Sequence, residues 1–393
     1  MQPDLAVISA ASLTDGLGVA QDIVDFSHTP GTRVVFGAGV IEGAGDLVKE
    51  LGGSRVLMVT DSGILKAGHA DWVKGILERN GLEVTIFSGV HENPTTDDVN
   101  ACVEVARQAN IDLIVGLGGG SSMDTGKGCN FILTNGGHMK DYWGVGKAEK
   151  PMLPFVAIPT TAGTGSECQS FALIADKETH MKMACGDKKA AARVAILDPE
   201  LTLTQPAMVT AHTGIDAITH AVETAVTKKR TDISVQYSKL AFALLDRGFG
   251  EVLRDPTSLQ ARARMQLGAA YAGVAIENSM LGAAHSAANP LTAHFGLVHG
   301  DAVGVMMPHV VRLNAAGDEG AAARYADLYE GDLPARLEEH LRMAGVKPGL
   351  EGYGVSESDV PMLAAEAAEQ WTAQFNPIEV NAVVFEALYR SAL

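Results

Sequence analysis

Asp216 and His220 stand four residues apart in "TGIDAITHAVE". A helix puts both on one face, where a carboxylate and an imidazole can reach a single ion. Taken alone, the pair reads better as an ordinary surface pair. A second stretch changes the balance: "AAHSAANPLTAHFGLVHGD" carries His285, His294 and His299, with Asn289 and Pro290 between the first two. On an ideal helix Asn289 lies about 40° from His285, His294 about 180° away, and His299 returns to within about 40°. Pro290 and Gly296 make one unbroken helix across the stretch unfavourable. His285 and His299 are therefore the co-ligand candidates, and His294 faces elsewhere. One carboxylate and three imidazoles form a borderline donor set that suits Fe(II) or Zn(II). Four protein donors leave the metal able to accept one more oxygen. A divalent ion lowers the pKa of bound water from about 16 to about 7, roughly 12 kcal/mol. An alcohol held in the same way is primed to lose its proton and then a hydride.

Three glycines carry a second kind of chemistry. "GLGGGSSMDTGKG" (116–128) follows a β-like run and opens into a helical pattern. It is not G-x-G-x-x-G, because position 121 is Ser121. Nor is it a Walker A loop, because five residues separate Gly120 from Gly126 and Gly128 follows Lys127. Gly118, Gly119 and Gly120 nevertheless let a ligand approach the backbone, and the free N–H groups of a helix start attract phosphate. A tight strand-to-helix turn would need one glycine, rarely three together. A later turn, "PTTAGTGSE" (159–167), offers Thr160, Thr161 and Thr164 between flexible glycines. It reads equally as a wall around a dinucleotide or as a plain Thr-rich loop. Asp61 ends the run "RVLMVTD". A strand-end carboxylate can accept from a ribose diol and repel a 2′-phosphate, or can simply form a turn.

The elements that must position these residues fall into two textures. "RVLMVTD" (55–61), "LEVTIFSGV" (82–90), "IDLIVGLGGG" (111–120) and "PFVAIPTT" (154–161) are near-continuous apolar runs. "HADWVKGILERNG", closed by Gly81, and "DDVNACVEVARQAN" lie between them with helical spacing. That alternation predicts a doubly wound α/β domain with a parallel sheet and right-handed crossovers. From about residue 205 the periodicity is helical throughout, and Pro199 and Pro206 punctuate a boundary near 200–206. We therefore expect an α/β dinucleotide-binding domain over 1–204 and an all-helical metal-binding domain over 205–393. The Ala-rich patch 317–326 reads as helix rather than linker.

Length and composition indicate a globular chain of two or three domains. The chain has 393 residues, 47% apolar and 20% charged. Thirty Lys and Arg against 47 Asp and Glu give a formal charge of -17, which argues against nucleic acid or an anionic membrane as partner. Cys102, Cys129, Cys168 and Cys185 show no C-x-x-C spacing, so reduced thiols and a cytoplasmic location are expected. The N-terminus reads as lacking a signal peptide, and no uncharged run is long enough to span a bilayer.

Taken in order, "GGGSSMDTGKG", "AIPTTAGTGSE", "ILDPEL", "TGIDAITHAVE" and "AAHSAANPLTAHFGLVHG…PHV" resemble the iron-containing (group III) alcohol dehydrogenase family. The likeness runs from about residue 30 to about 315 and continues weakly to Asn376 and Pro377. It implies a Rossmann-like domain followed by a helical one, an active site in the cleft between them, and a homodimer. It implies Asp216, His220, His285 and His299 as ligands of Fe(II), with Zn(II) the alternative. It also implies a pyrophosphate over Gly119, Gly120 and Ser121, near Gly118 and Asp124, with Thr160, Thr161, Thr164, Asn93 and Lys182 on the cofactor. Asp61 falls where an acidic residue favours NAD over NADP. The activity implied is hydride transfer between NAD and a small alcohol, aldehyde or ketone.

Two departures stand out. Asn289 occupies a position where many members carry a histidine thought to relay a proton, and "NPR" is "NPI" here. Asparagine cannot exchange a proton at neutral pH, although it can orient a hydroxyl or a water. Residues 1–30 extend beyond the usual start of the family. A lyase resembling dehydroquinate synthase, which uses NAD transiently, and a non-catalytic member are the alternative readings.

Overall fold

The structure, a computed structural model, describes residues 31–179 and 181–393. The N-terminal extension and the reading of no signal peptide in it lie outside the described residues. Two compact units divide the rest. The first runs to Thr161 and takes up again over Gly165–Thr204; the second comprises Ala162–Thr164 and Gln205–Leu393.

In the first unit, β1 (Arg33–Phe36), β2 (Arg55–Asp61), β3 (Glu83–Val90), β4 (Leu113–Gly118), β6 (Phe155–Pro159) and β9 (Val194–Leu197) form one sheet of order β1-β9-β6-β4-β2-β3. Every pairing in it is parallel. The four apolar runs read from sequence are β2, β3, β4 and β6. β4 and β6 are buried along their whole length, which is why they lack the alternation of a half-exposed strand. Between the strands lie α1 (Ala44–Glu50), α2 (Ser62–Lys66), α3 (His69–Arg79), α4 (Thr96–Gln108) and α5 (Gly120–Asn135). α3 stops at Arg79 and the chain turns through Gly81 at φ 79. α4 starts at a capping box, Thr95 with Asp98.

The order of the strands fixes where a ligand can bind. From β2 the chain goes outward to β3, then returns to β4 on the other side and continues to β6. The connections leaving β2 and β4 therefore diverge, opening a crevice at their carboxyl ends, the topological switch point of an open α/β sheet. Asp61 closes β2, and Gly118 to Gly120 close β4 and start α5. Asp61 and the glycine turn meet at that crevice.

A second sheet, β5 (Gly144–Val145), β8 (Lys182–Gly186) and β7 (Phe171–Ala175), was not anticipated. Five-residue strands with one half-buried face give too short an alternation to recognise.

The second unit is helical: α6 (Ala207–Thr224), α7 (Asp232–Arg254), α8 (Leu259–Glu277), α9 (Ala283–Phe295), α10 (His299–Gly317), α11 (Glu319–Leu328), α12 (Leu333–Ala344), α13 (Val360–Glu369) and α14 (Ala382–Ala392). Its core mixes many alanines with Phe242, Phe249, Met306 and Phe385. The helix α11 covers the Ala-rich patch. The break expected between His285 and His299 falls at Gly296, left-handed at φ 66, and not at Pro290, which α9 accommodates. Pro290 removes the donor to the Ser286 carbonyl, and the Tyr389 hydroxyl donates to the adjacent Ala287 carbonyl at 2.7 Å. Among the described residues no helix is long and apolar enough to cross a membrane, and all four cysteines are buried thiols outside any disulfide.

Candidate active site

α6 carries Asp216 and His220 one turn apart, α9 carries His285 in its first turn, and α10 starts at His299. The Asp216 Oδ1 lies 3.4 Å from His220 Nε2, 3.6 Å from His285 Nε2 and 3.8 Å from His299 Nε2. The His220 and His285 rings stack at 4.8 Å, and His299 sits 5.5 Å from His285. Asp216, His220 and His285 are buried; His299 is about one-third exposed. α10 approaches closely enough for this because residue 300 is glycine: a Cβ there would lie 2.1 Å from the His212 carbonyl oxygen.

The groups of the cluster interact strongly with one another. Burial alone would push the Asp216 carboxyl up, but His220, His285 and His299 around it hold it well below the ordinary carboxylate range. Burial depresses His220. It also works against charge on His285, yet Glu223 and Asp216 outweigh it and push that imidazole up to about 9. Asp216 Oδ1 and His285 Nε2 are buried with no hydrogen-bond partner. Orphans of this kind cost about 1–3 kcal/mol each unless something else satisfies them. Donor atoms of Asp216, His220 and His285 lie within 4.8 Å of one another, so one ion can satisfy them together.

One residue was not singled out from sequence. Glu223 is buried, and its Oε2 lies 2.6 Å from His285 Nδ1 while its Oε1 accepts from the Ala284 N–H at 2.7 Å. Asp216, His220 and Glu223 follow one another at i, i+4 and i+7. A second carboxylate on the buried stripe of an apolar helix was the available signal.

Asn289 is half-buried one turn after His285, and its Nδ2 donates to Gln370 Oε1 at 2.9 Å. His294 is exposed and pairs with Glu366 at 2.9 Å, outside the cluster.

In the other unit, Gly119 caps α5 without any side chain on the first N–H groups. Those groups, on Gly120 and Ser121, stand at the positive end of a 16-residue helix. Gly118 adopts φ 145, and a Cβ there would lie 2.5 Å from Ser122 Oγ and 3.4 Å from Asp61 Oδ2. Asp61 uses Oδ1 to cap α2, accepting from Gly63 and Ile64 N–H groups at 2.7 and 3.1 Å, while Oδ2 faces the glycine turn. It is a turn former and a switch-point carboxylate at once. The Thr160 N–H donates to the Gly118 carbonyl at 3.0 Å, and Thr161 lies against Gly119. Asn93, exposed and left-handed at φ 52, stands in the turn after β3. Gly118→Ala should strain this turn and weaken dinucleotide binding about tenfold or more at little cost elsewhere; calorimetric titration with NAD checks it.

Asp124 points inward. Burial raises its carboxyl, opposed by the charges of Lys127 and Lys182, and it accepts from Ser166 Oγ at 2.8 Å. Lys182 itself is exposed at the start of β8, and Thr164 is half-buried. Lys127, fully buried, donates to Ser166 O at 2.6 Å, Ser166 Oγ at 2.9 Å and Phe171 O at 3.0 Å. Next in the turn is Glu167, whose burial pushes its carboxyl up to about 7. The folded state therefore holds a proton the unfolded chain has lost. Its stabilisation is complete below about pH 4.5 and disappears as pH rises through about 7. At about 1.36 kcal/mol per pKa unit, Glu167→Gln should gain a few kcal/mol over the parent at high pH and nothing at low pH, as read by melting between about pH 5 and pH 9.

A glycine turn at a sheet's switch point, joined in one chain to a buried Asp216, His220 and His285 with His299 at their edge, is the pattern of metal-assisted, dinucleotide-dependent enzymes. Residues 31–199 match the iron-containing alcohol dehydrogenase family, and 210–393 match the C-terminal part of the Fe-containing alcohol dehydrogenase family. The chain is 35% identical over 355 residues to the NAD-dependent methanol dehydrogenase of Bacillus methanolicus, covering 87% of this chain and 93% of that one. It is 35% identical to alcohol dehydrogenase 4 of Schizosaccharomyces pombe over 373 residues, 91% and 87% of the two chains. A crystal structure of a 1,3-propanediol oxidoreductase superposes with a TM-score of 0.89 at 32% identity, covering 94% of this chain and all of the other. The chain belongs to the iron-containing alcohol dehydrogenase family, and it is an oxidoreductase with that family's fold.

Proposed function

We propose that this chain interconverts a small alcohol and its aldehyde or ketone with NAD and a divalent metal, as a cytoplasmic homodimer. The observation that carries the reading is the convergence of Asp216, His220 and His285, with two orphaned donor atoms, in a chain whose sheet ends in a switch-point glycine turn. Asp216, His220, His285 and His299 hold the ion, Fe(II) by family and Zn(II) by ligand chemistry. When bound, the ion supplies Lewis acidity toward the alcohol oxygen, and the nicotinamide supplies the hydride acceptor.

The rest is done by the chain. The N–H groups of Gly120 and Ser121 bind the pyrophosphate, flanked by Gly118, Gly119 and Thr161. Asp61 Oδ2 accepts from the ribose diol and repels a 2′-phosphate, so NAD is preferred to NADP. Thr160, Thr164, Asn93, Asp124 and Lys182 complete the cofactor site, Asp124 by fixing Ser166. Asn289 carries no exchangeable proton at neutral pH. It orients a hydroxyl or water while the proton leaves through the ribose hydroxyl or solvent. The names of the relatives, methanol and 1,3-propanediol among their substrates, point to small primary alcohols and diols.

NADH formation from a panel of alcohols, diols and hydroxy acids tests the reading. Cofactor that stays bound, with no net reduction on any of them, would favour the lyase alternative. Asn289→His should break the pair with Gln370 and add an imidazole titrating near about 6.5 to the pH profile of kcat/KM. An unchanged profile would place residue 289 outside the proton path.

A further inference from the structure

We infer that Glu223 is a positioning residue for the metal. It holds a proton of His285 on Nδ1, so that Nε2, aimed at Asp216, is the nitrogen left to bind an ion. The inference rests on the metal reading above and adds a residue to it. Three observations carry it. Glu223 is almost wholly buried, 1% exposed, so its negative charge must be matched inside the protein. Both of its oxygens are committed, Oε1 to the Ala284 N–H at 2.7 Å and Oε2 to His285 Nδ1 at 2.6 Å. The opposite ring nitrogen, His285 Nε2, has no partner and stands 3.6 Å from Asp216 Oδ1.

The carboxylate thus ties two things together. A carboxylate oxygen can only accept, so the nitrogen facing Oε2 must carry hydrogen, and in a neutral ring the other nitrogen is then a lone-pair donor. Through Oε1 the same side chain holds the first turn of α9, which has no cap of its own at Gly282. Asn376 Oδ1 supports that turn from the other side, accepting from the Ala283 N–H at 3.4 Å. Ring orientation, tautomer and helix start are therefore set by one residue from α6. A carboxylate behind a ligand imidazole is the arrangement that raises ligand basicity, and its loss typically costs about 10–100-fold in metal affinity.

Glutamine at 223 distinguishes this from mere packing. Its carbonyl can still accept from Ala284, but its amide nitrogen then faces His285 Nδ1 and donates. That forces the ring proton onto Nε2, where it blocks the metal. The test measures Zn(II) affinity of the full chain by chelator competition, for the parent, Glu223→Gln, Glu223→Asp and His285→Ala. We expect His285→Ala to lose the metal, Glu223→Gln to bind about 10–100-fold more weakly while remaining folded without metal, and Glu223→Asp to recover part of the loss. If His285→Ala binds as the parent does, the metal reading itself fails. If His285→Ala loses the metal while Glu223→Gln binds within about threefold of the parent, only the Glu223 inference fails. Should Glu223→Gln not fold, the nitrogen-15 resonances of His285 in the zinc-loaded parent decide. A protonated Nδ1 supports the inference; an unprotonated Nδ1 overturns it.

Discussion

Asp216→Asn should deplete the metal site and cut turnover, yet leave dinucleotide binding intact. Asp216 is the hub: its Oδ1 lies within 3.8 Å of all three imidazoles and has no other partner. It is also the sole anion among the proposed ligands, so the substitution removes the charge that offsets burying a cation among imidazoles. Lewis-acid stabilisation by a bound divalent ion is worth several kcal/mol, and each 1.36 kcal/mol is tenfold in rate. The expected loss in kcat/KM is about three to four orders of magnitude. Elemental analysis should find less than stoichiometric metal, and calorimetry should return the parent's NAD affinity, because the glycine turn belongs to the other compact unit. Retained metal, or turnover within about tenfold of the parent, would remove Asp216 from its proposed role.

Lys127→Met should unfold the first unit more readily than any surface change. The ammonium is fully buried and donates to two backbone carbonyls and a hydroxyl. Methionine keeps the stem and removes every donor, so the Ser166 and Phe171 carbonyls and the Ser166 hydroxyl each lose one hydrogen bond from a charged group, about 1.5–3 kcal/mol each. It also strips a balancing charge from Asp124, whose carboxyl burial already raises. Breaking a buried charge arrangement from one side costs about 3–5 kcal/mol. For a unit of this size that is a fall of roughly 10 °C in Tm. NAD affinity should fall too, because Ser166 anchors the turn carrying Thr160, Thr161 and Thr164. A change in Tm of only a degree or two would show that water or relaxation replaces the lysine.

How far the sequence could be read depends on the kind of signal each element leaves. β4 and β6 were legible because strands buried on both faces are uniformly apolar. Asp216 with His220 was legible because helical geometry turns spacing into direction; His299 starts a separate helix beyond the break at Gly296, so its approach to His285 comes from how α9 and α10 pack. Glu223 escaped because a charged residue on a helix reads as solvated until its stripe is known to be buried; the i, i+4, i+7 relation to Asp216 was visible but unused. Lys127 escaped for the same reason: its place on a helix buried on all sides reflects packing from elements distant in sequence, Ser166 and Phe171. The hairpin of β7 and β8 left too short a pattern. Pro290 misled only about where the helix breaks, since Gly296, not proline, ends it.

Hydride transfer between an alcohol and NAD by this chain should require an ion in the Asp216 cluster. The most direct measurement follows NADH formation from methanol, 1,3-propanediol and a panel of other small alcohols. It uses protein stripped of metal and the same protein reloaded with Fe(II) or Zn(II). The account predicts no NADH from the stripped protein and restored turnover on reloading, lost again in Asp216→Asn. Equal turnover with and without metal, or none on any alcohol after reloading, would contradict it.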